Sequence, residues 1–543
     1  MTQVLVMLYW MRQKSNYFID ELFSMGYAHT YTFDWKHRGY INASDVWKEG
    51  QWIPNSLLKD QIEVSPEDSL LNKPLGTAVP MLLLRRTYHG ILNILMSSFS
   101  PGAVGKVPGI VFNIIIFCLT QIVLFRICYD LTENHWVSLA VLTMYGYSLA
   151  AISFVMYIRF YCFVVLLFLL ALRVHQLIRK TDRLPLAFTG TIVSLVLLFF
   201  AMKDSELVFV LGGSLIAAFM LDLILCHQFR KLLLYFLTIV PLSIVYLINK
   251  TPFIDILLHP SQYRNEKGPG GWMTMHLLDW TWQQKFELIL KQNQWFINLL
   301  YGNIIIAVAF FLIIAVLVLS LLIKRVRSKT GKEKEDGGED RALLQRNEQD
   351  QRSPFGFYLV LFIVSTVYLI FGGLTGFVIV RYYSFLFPVI TILLWAGIYK
   401  MTEVLGCRKG ILKLCGFLTI AAVVIGFFHP EHIEFIYPED RELIASLQEN
   451  DIQDAVVLCI GHEKTTHVIY DCVNLMEDDA RIYPLREGET MIDPKQCPRR
   501  FLIWALSGRN IWKNTGDLLK NGCTISMYGK THASDVYLVE LFR

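Results

Sequence analysis

Long apolar runs separated by short polar turns occupy most of the chain before residue 430. A run of about 17–25 mostly apolar residues is long enough to cross a bilayer as a helix. A shorter run near 2–12 cannot cross alone, so either neighbouring residues complete its helix or the chain begins upstream of Met1. With it, the pattern predicts an α-helical polytopic membrane protein of about 11 spans. The longer runs lie near 107–128, 135–155, 157–177, 185–203, 207–228, 231–249, 297–323, 357–379, 384–400 and 411–428.

Basic residues in the short loops predict the orientation. They cluster at 175–180, 227–231, 324–327 and 407–409, which all fall on one side if these spans are right. Cytoplasmic loops are enriched in Lys and Arg, so we expect this side to be cytoplasmic. Asp20, the loop between the sixth and seventh long runs, and the C-terminal tail are then extracytoplasmic. The predicted odd number of spans agrees with this orientation, because an odd number places the N- and C-termini on opposite sides of the membrane.

Three polar segments interrupt the predicted membrane domain, 1–428. The first outer loop, 13–106, has apolar stretches too short to span, and 80–99 is expected to lie in the interface as amphipathic helices. The outer loop 250–296 is rich in Trp and Gln. The segment 324–356 is dense in charged residues and is expected to be a disordered cytoplasmic linker.

The tail, 429–543, predicts a small extracytoplasmic α/β domain. Arg441 to Gln448 has a helical pattern, and 517–520 before Gly522 suggests a short helix with a glycine stop. Buried strands are predicted at 456–460, 501–506 and 536–541. Four cysteines in this domain allow two disulfides or free buried thiols, and both alternatives stay open. They are Cys459, Cys472, Cys497 and Cys523.

Composition agrees with a membrane protein and excludes other classes. Of 543 residues, 54% are hydrophobic and 18% charged, against about 45–50% and about 25% in soluble domains. The net charge of +4 is small for this length, so nucleic acid is not expected as a partner. The ten cysteines lack close CxxC spacing, so the sequence does not indicate a zinc or redox motif.

Candidate chemistry begins with a carboxylate pair, Asp20-Glu21, beside a short apolar segment on the predicted outer face. Carboxylates next to a bilayer are costly unless something uses them. Taken alone, such a pair is more often a solvated helix end. The other polar residues expected on the same face favour a functional interpretation.

Two arginines lie in short outer connections, where positive charge is disfavoured. Arg159 is near Tyr161, and Arg381 is next to Tyr382. A guanidinium binds phosphate in a bidentate way and tyrosine adds a hydroxyl donor, so these pairs suggest an anion site. Aromatic anchoring with snorkelling arginines is the alternative.

Other polar residues of the outer face are weaker candidates. Lys203 and Asp204 lie in a turn that is more often a solvated hairpin than a site. Arg85, Arg86 and His89 lie in the first outer loop, where His89 is either a packing residue or a proton carrier.

This set of residue types suits one reaction class, transfer from a lipid-linked sugar phosphate. A base must deprotonate the acceptor hydroxyl that attacks the anomeric carbon. The departing lipid phosphate develops charge, which Arg, Lys or a metal ion can stabilise.

The chain resembles the type-C (GT-C) membrane glycosyltransferases, in particular the bacterial family related to dolichyl-phosphate-mannose protein mannosyltransferases (family 39-like). The resemblance covers about residues 1–400, and its motifs are short but occur in order on one predicted face. It rests on four segments: 17–24 (YFIDELFS), 97–102 (SSFSPG), 157–161 (YIRFY) and 381–383 (RYY).

The resemblance implies roles for individual residues. Asp20 would be the catalytic base, and Glu21 a neighbour that assists it or binds a metal. His89 matches a histidine that follows the family's His-Pro-Pro-Leu-Tyr-Tyr segment. This chain has 80–85 (PMLLLR) in place of that segment, and Arg85 and Arg86 are the candidates to take over part of the anion binding. The donor phosphate would be held by Arg159, Tyr161, Arg381 and Tyr382.

The preferred hypothesis is an integral membrane glycosyltransferase that uses a polyprenyl-phosphate-linked sugar and a glycan, lipid or protein acceptor, by inverting transfer. The sequence indicates no particular cofactor, and whether the protein uses a divalent metal ion stays open. The alternatives are a transporter or flippase for a lipid-linked substrate and a non-catalytic membrane protein of the same fold. Asp222 is an ionisable residue inside a span, as transport would require, but most charges cluster at one face.

Overall fold

The structure is a computed structural model, and its chain forms two compact units. The first unit comprises Met1–Ile114, Val155–Arg159 and Glu434–Arg543, and the second comprises Ile115–Phe154 and Phe160–Ile433. The sequence-based division at residue 428 stays a prediction. The structure describes residues 2–30, 51–59, 67, 69–99, 106–205, 207–249, 258–263, 276, 278–331, 355–375, 380–429, 433–450, 452–459, 465–486, 497–508, 511, 515, 520 and 522–542.

The long apolar runs form helices, most of them in the second unit. Eight of these helices are long and apolar enough to cross a membrane within the described residues, namely α6, α9, α10, α11, α14, α15, α16 and α17. The chain is therefore a multi-pass membrane protein, and the figure of about 11 spans stays a prediction. The helices are α6 (Lys106–Thr132), α7 (His135–Gly146), α8 (Leu149–Met156), α9 (Tyr161–Lys180), α10 (Leu184–Asp204), α11 (Val208–Leu225), α12 (Phe229–Asn249), α13 (Trp282–Phe296), α14 (Ile304–Gly331), α15 (Phe355–Thr375), α16 (Leu386–Leu405) and α17 (Arg408–Phe427).

Two predicted spans were wrong in detail. The run 135–155 is broken between α7 and α8, which are bent by 57° and together form at most a ninth span. The Ser148 side chain ends one helix and starts the next, since its Oγ donates to the Tyr145 carbonyl and accepts from Ala151 N. The run 297–323 starts as a π-helical turn, and α14 begins only at Ile304.

Two charged residues of the second unit have environments that the sequence did not indicate. Asp222 lies in α11 and forms a buried ion pair with Arg179, at 2.8 Å between Nε and Oδ2. A paired carboxylate is satisfied within the fold, so it does not favour the transport hypothesis. The prediction of a solvated hairpin at Lys203-Asp204 was wrong for Asp204, whose side chain is buried at the end of α10.

The C-terminal part of the first unit is an α/β domain, as predicted. Its sheet has the order β1-β3-β2-β4-β6-β5. The centre is parallel, with β2 between β3 and β4, and the other pairings are antiparallel. The three predicted strands are confirmed as β2, β4 and β6. The elements are β1 (Ile53–Pro54), β2 (Asp454–Cys459), β3 (Arg481–Arg486), β4 (Arg500–Leu506), β5 (Cys523–Lys530) and β6 (Ser534–Leu541), with helices α18 (Arg441–Glu449) and α19 (Thr465–Leu475).

The edge strand β1 comes from the predicted first outer loop, far away in sequence. It pairs with β3, and the next residue, Asn55, donates to the carbonyls of Val473, Met476 and Glu477, each at 3.0 Å. Val473 lies in the last turn of α19, and Met476 and Glu477 follow the end of that helix, so Asn55 satisfies carbonyls at and just beyond its C-terminus. The first outer loop and the C-terminal domain are thus parts of one folded unit.

The cysteines of this domain favour one of the two open alternatives. Cys472, Cys497 and Cys523 are buried and form no disulfide. Two disulfides would need all four cysteines of the domain, so that alternative was wrong. The side chain of Cys459 and most of the predicted helix at 517–520 lie outside the described residues.

The N-terminal part of the first unit contributes short helices. They are α1 (Thr2–Gln13), α2 (Ile19–Thr30), α3 (Asn55–Lys59), α4 (Leu75–Leu84) and α5 (Thr87–Ser98). The stretch 80–99 is divided at Arg85-Arg86, which end α4 and begin α5. Tyr88, His89 and Leu92 of α5 are buried in the protein, and the interfacial position expected for 80–99 stays a prediction.

Candidate active site

A five-residue linker, 14–18, joins α1 to the carboxylate pair and is fixed to the C-terminal part of the first unit. Lys14 Nζ donates to the Phe435 carbonyl at 2.5 Å, and Ser15 N donates to the Ile436 carbonyl at 2.8 Å. Asn16 is 1% exposed and also bonds to this part. The linker is therefore held by residues more than 400 positions away in the sequence.

Glu21 is the buried member of the pair. It forms an ion pair with Lys14, at 2.9 Å between Nζ and Oε2, and neither side chain is exposed. The same oxygen accepts from Phe18 N at 2.7 Å, the reciprocal bond of a capping box, so Glu21 helps to start α2. Its other oxygen, Oε1, accepts from Ile158 N at 2.8 Å. Both carboxylate oxygens are thus engaged by donors of the protein.

Burial sets the electrostatics of this ion pair. It raises the pKa of Glu21 and lowers the pKa of Lys14, while their mutual attraction opposes both shifts. An isolated buried charge would cost several kcal/mol. Each residue is therefore tolerated only with the other.

Asp20 is only partly buried, and it lies in the first turn of α2, where the helix dipole favours a negative group. The Tyr157 hydroxyl donates to its Oδ2 at 2.8 Å. Arg159 Nη1 donates to the backbone carbonyl of the same residue at 3.0 Å. The carboxylate that can reach a ligand is thus oriented by the turn between α8 and α9.

That turn is itself rigidly held in the first unit. The ring of Tyr157 stacks on Phe435 with centroids 3.9 Å apart. Asn113 Nδ2 donates to the carbonyls of Val155 and Tyr157, at 3.2 and 2.8 Å. Together with the Glu21 bond to Ile158, these contacts define the position of the Tyr157 hydroxyl.

Ser24, one turn after Asp20, connects Arg159 to His89. Arg159 Nη1 donates to Ser24 Oγ at 3.1 Å, and His89 Nε2 lies 3.3 Å from the same oxygen. Burial, followed by the charges of Arg86 and Arg159, holds the pKa of His89 well below its usual range. The imidazole is therefore neutral at physiological pH, so Nε2 can accept the Ser24 hydroxyl. With 1% exposure, His89 is a packing residue that also hydrogen-bonds.

Arg86 contacts another aromatic side chain of α2, since its guanidinium lies 5.5 Å from the centroid of the Tyr27 ring. Tyr27 also packs against His89, at 5.3 Å between centroids. The predicted first-loop residues Arg86 and His89 therefore adjoin the helix that carries Asp20. Arg85 ends α4, where its backbone N–H bonds to the Met81 carbonyl.

A second polar cluster holds the linker. Asn16 Nδ2 donates to Asp440 Oδ2 at 2.8 Å and to Asp471 Oδ1 at 2.7 Å. His532 Nδ1 lies 2.8 Å from Asp440 Oδ2, and Ser534 Oγ donates to Asp471 Oδ2 at 2.9 Å. The oxygens of both carboxylates accept hydrogen bonds from the protein.

Within the described residues, this cluster is also the group whose spacing is compatible with a metal ion. The ligand atoms of Asp440, Asp471 and His532 lie within 4.8 Å of one another. The Asn16 amide bridges the two carboxylates, however, and presents donor hydrogens where a cation would need lone pairs. The residues therefore fit a hydrogen-bond network that fixes the linker better than they fit a metal site.

The remaining predicted donor residues belong to the second unit. Tyr161 begins α9, and Arg381 and Tyr382 lie in the short helical turn Val380–Tyr383 before α16. The Arg381 guanidinium lies 5.5 Å from the Tyr382 ring centroid, and the Tyr161 and Tyr382 rings are 6.4 Å apart. These three residues therefore form one aromatic and cationic group, whereas the sequence context paired Tyr161 with Arg159; their role as a phosphate site stays a prediction. Lys203 lies at the end of α10 in the same unit.

Sequence reasoning missed Lys14, Asn16 and Tyr157 as parts of the site. For Lys14 the sequence holds only a weak indication, namely that this lysine precedes Glu21 by seven residues next to an apolar helix, where an ion pair is plausible chemistry. Tyr157 is in a segment noted for Arg159, but its alignment with Asp20 depends on the fold. The role of Asn16 depends on residues near the C-terminus, so nothing local could have indicated it.

Comparison with known proteins found little similarity. No family model matches the chain, and no curated protein matches it in sequence. Among solved structures, the crystal structure of ArnT from Cupriavidus metallidurans bound to undecaprenyl phosphate is similar over 99% of this chain and 96% of that one. The sequence identity is 9% and the TM-score is 0.48, values too low for an argument about function.

Proposed function

We propose that this protein is an integral membrane glycosyltransferase, with Asp20 as the catalytic base. It would transfer a sugar from a polyprenyl-phosphate-linked donor to an extracytoplasmic glycan, lipid or protein acceptor, with inversion at the anomeric carbon. The observation that carries the proposal is the partly exposed Asp20 carboxylate, oriented by Tyr157 and flanked by Arg159 on a multi-pass membrane protein.

The proposed step needs one base. Asp20 takes the proton of the acceptor hydroxyl while that oxygen bonds to the anomeric carbon. The bond from this carbon to the phosphate oxygen breaks at the same time, and its electron pair leaves with the lipid phosphate. Inversion follows from attack on the face opposite the leaving group, so a second protein carboxylate is not required.

Glu21 then has a different role from Asp20. It is fully buried, and its oxygens accept from Lys14, Phe18 and Ile158. A group in this state is a poor proton acceptor for a substrate, and we assign it the role of a positioning residue. Its bonds hold the start of α2 and the turn that carries Tyr157 and Arg159 in one arrangement.

Arg159 would supply positive charge for the leaving phosphate, and the group of Arg381, Tyr161 and Tyr382 in the second unit is taken by itself as a further candidate phosphate site. A guanidinium next to tyrosine hydroxyls supplies charge and hydrogen-bond donors suited to a phosphate. Arg85 and Arg86 remain candidates for the acceptor side.

The test is sugar transfer by the purified full-length protein in vesicles that contain polyprenyl-phosphate-linked sugars. Asp20→Asn should abolish transfer, because the amide cannot accept the proton, while the protein stays monodisperse. Tyr157→Phe should retain measurable activity with an altered pH profile, because it removes only the hydroxyl that orients the carboxylate. The matched control is Glu442→Gln, an exposed carboxylate on α18, which should transfer at the wild-type rate. Wild-type activity of Asp20→Asn would refute the assignment of the base.

A further inference from the structure

Helix α13 (Trp282–Phe296) of the second unit has an unusual distribution of side chains. It begins at Thr281 with a capping box to Gln284, so its N-terminus is well defined. Its exposed positions include large apolar residues, whereas buried positions include polar ones. This is the reverse of a helix on the surface of a soluble domain.

The buried side is a single sector of the helix. Lys285, Gln292 and Phe296 are buried. At about 100° per residue, these positions lie within about 40° of one another on the helical wheel. Ile289 lies between these residues in the sequence and would clash with a Cβ on Gly373 of α15, so this sector packs closely on the protein. Gln292 Nε2 also donates to the Tyr383 hydroxyl.

The exposed apolar residues form a second sector beside the first. Trp282, Phe286 and Leu290 are 75%, 60% and 52% exposed. They are spaced by four residues, so they span only about 80° of the wheel. Asn293 is the polar exception, in the last turn.

The third sector is exposed and polar. Gln283, Glu287, Lys291 and Gln294 lie at about 100–180° from Trp282. The exposed part of the helix thus has an apolar stripe next to the protein-facing sector and a polar stripe beyond it, and the half-buried Leu288 and Trp295 lie between the polar stripe and the protein. A helix that lies flat on a bilayer next to its own protein needs this arrangement, because it meets protein, lipid and water on successive sides.

The chain also places α13 at the level of the membrane surface. The helix continues through the turn Ile297–Tyr301 to Gly302 and then into the membrane-spanning helix α14. Gly302 has φ +65°, and a Cβ there would lie 3.2 Å from Gly426 N and 3.3 Å from the Ala422 carbonyl oxygen. Those two residues are in the last turns of another spanning helix, α17. The end of α13 is therefore fixed where two spans leave the membrane.

We propose that α13 is a membrane-surface helix whose Trp282, Phe286 and Leu290 stripe is buried in the lipid bilayer. The partner is lipid, because α13 leads directly into the spanning helix α14 and its end packs beside α17, and because Trp beside Lys is typical of the interface. A second copy of the chain is the competing occupant, and the experiment separates the two. The inference does not depend on the proposed activity, since it concerns only what covers this stripe.

The experiment introduces a photo-reactive phenylalanine analogue at single positions of the full-length protein in phospholipid vesicles. Positions 286 and 290 test the apolar stripe, and 287 and 294 are matched controls on the polar stripe of the same helix. Irradiation should produce lipid adducts, seen as a mass increase of one phospholipid, at 286 and 290 but not above background at 287 and 294. All four residues have exposed side chains, so the substitutions should not disturb folding, which gel filtration checks.

Three results would overturn the proposal. Equal lipid labelling at all four positions would show that the helix has no preferred lipid-facing side. No lipid adduct at 286 or 290 would show that the stripe faces water. Crosslinks between protein chains at 286 and 290, in place of lipid adducts, would show that a second copy covers the stripe.

Discussion

The buried ion pair between Lys14 and Glu21 makes a quantitative prediction about the stability of the first unit. We consider Lys14→Met, Glu21→Gln and the double variant. Glu21→Gln leaves the Lys14 charge buried, and Lys14→Met leaves the Glu21 charge buried with two backbone donors. Breaking a fully buried pair in this way costs about 3–5 kcal/mol.

The double variant should be less destabilised than the sum of the single ones. It contains no buried charge, and its remaining cost is an unsatisfied group, such as the Phe435 carbonyl that Lys14 contacts now. One such group costs about 1–3 kcal/mol. Two single losses of this size exceed the cost of the double variant by at least about 3 kcal/mol, so we expect a favourable coupling energy at or above the upper end of the usual range of about 0.5–3 kcal/mol.

The assay is the fraction of protein that remains monodisperse in mild detergent after incubation with increasing denaturant. The exposed pair Lys400–Glu403 provides the matched control, because its charged atoms are 3.0 Å apart, close to the 2.9 Å of the buried pair, but its side chains are 39% and 44% exposed. The equivalent variants Lys400→Met and Glu403→Gln should couple by only about 0.2–1 kcal/mol. If the buried pair couples no more strongly than this one, the argument from burial is refuted.

Three further predictions address other parts of the structure. Gly302→Ala should lower the free energy of unfolding by about 1–3 kcal/mol, because alanine disfavours φ +65° and its Cβ would touch Gly426; an unchanged denaturation midpoint would contradict this. Burial raises the pKa of Asp471, so its contribution to stability is present below its unfolded pKa and is lost as pH rises through the folded value. The stability of the wild type relative to Asp471→Asn should therefore fall as pH rises from about 4, and a constant difference would argue against the shift. Cys472 and Cys497 are buried and form no disulfide, so maleimide should modify their thiols only in denaturant, whereas modification of these thiols in the native protein would contradict their burial.

Apolar length predicted the helices well, because a span is a local property of about 20 consecutive residues. The predicted helix boundaries were wrong where the hydrogen bonds of one side chain determine them. Ser148 interrupts a run that is apolar on both sides, since its hydroxyl replaces backbone bonds at the break. In the tail, buried strands such as β4 were identifiable as apolar runs. Strand β5 was not identifiable, because most of its residues are partly or fully exposed and it has no apolar run.

The site was only partly predictable. Asp20 and Arg159 were identifiable because charges beside apolar spans are costly and therefore rare. The sequence could not show which of the two carboxylates is buried. That depends on Ile158 N and Lys14 Nζ, which come close to Glu21 only in the folded protein. The Asn16 network is further removed from sequence patterns, since its partners lie 424 and 455 residues away.

Asp20 and Glu21 lie in different environments because of helix geometry. Consecutive residues of a helix point about 100° apart, so a pair at the start of α2 cannot face the same environment. Glu21 faces the interior, where Lys14 balances its charge and Ile158 N accounts for its second oxygen. The longer Glu side chain reaches these donors, and the shorter Asp20 is left at the surface next to the Tyr157 hydroxyl. Glu21 anchors the turn whose Tyr157 hydroxyl orients Asp20. An exchange of these two residues would therefore keep the net charge but lose both the anchoring of the turn and the orientation of the exposed carboxylate.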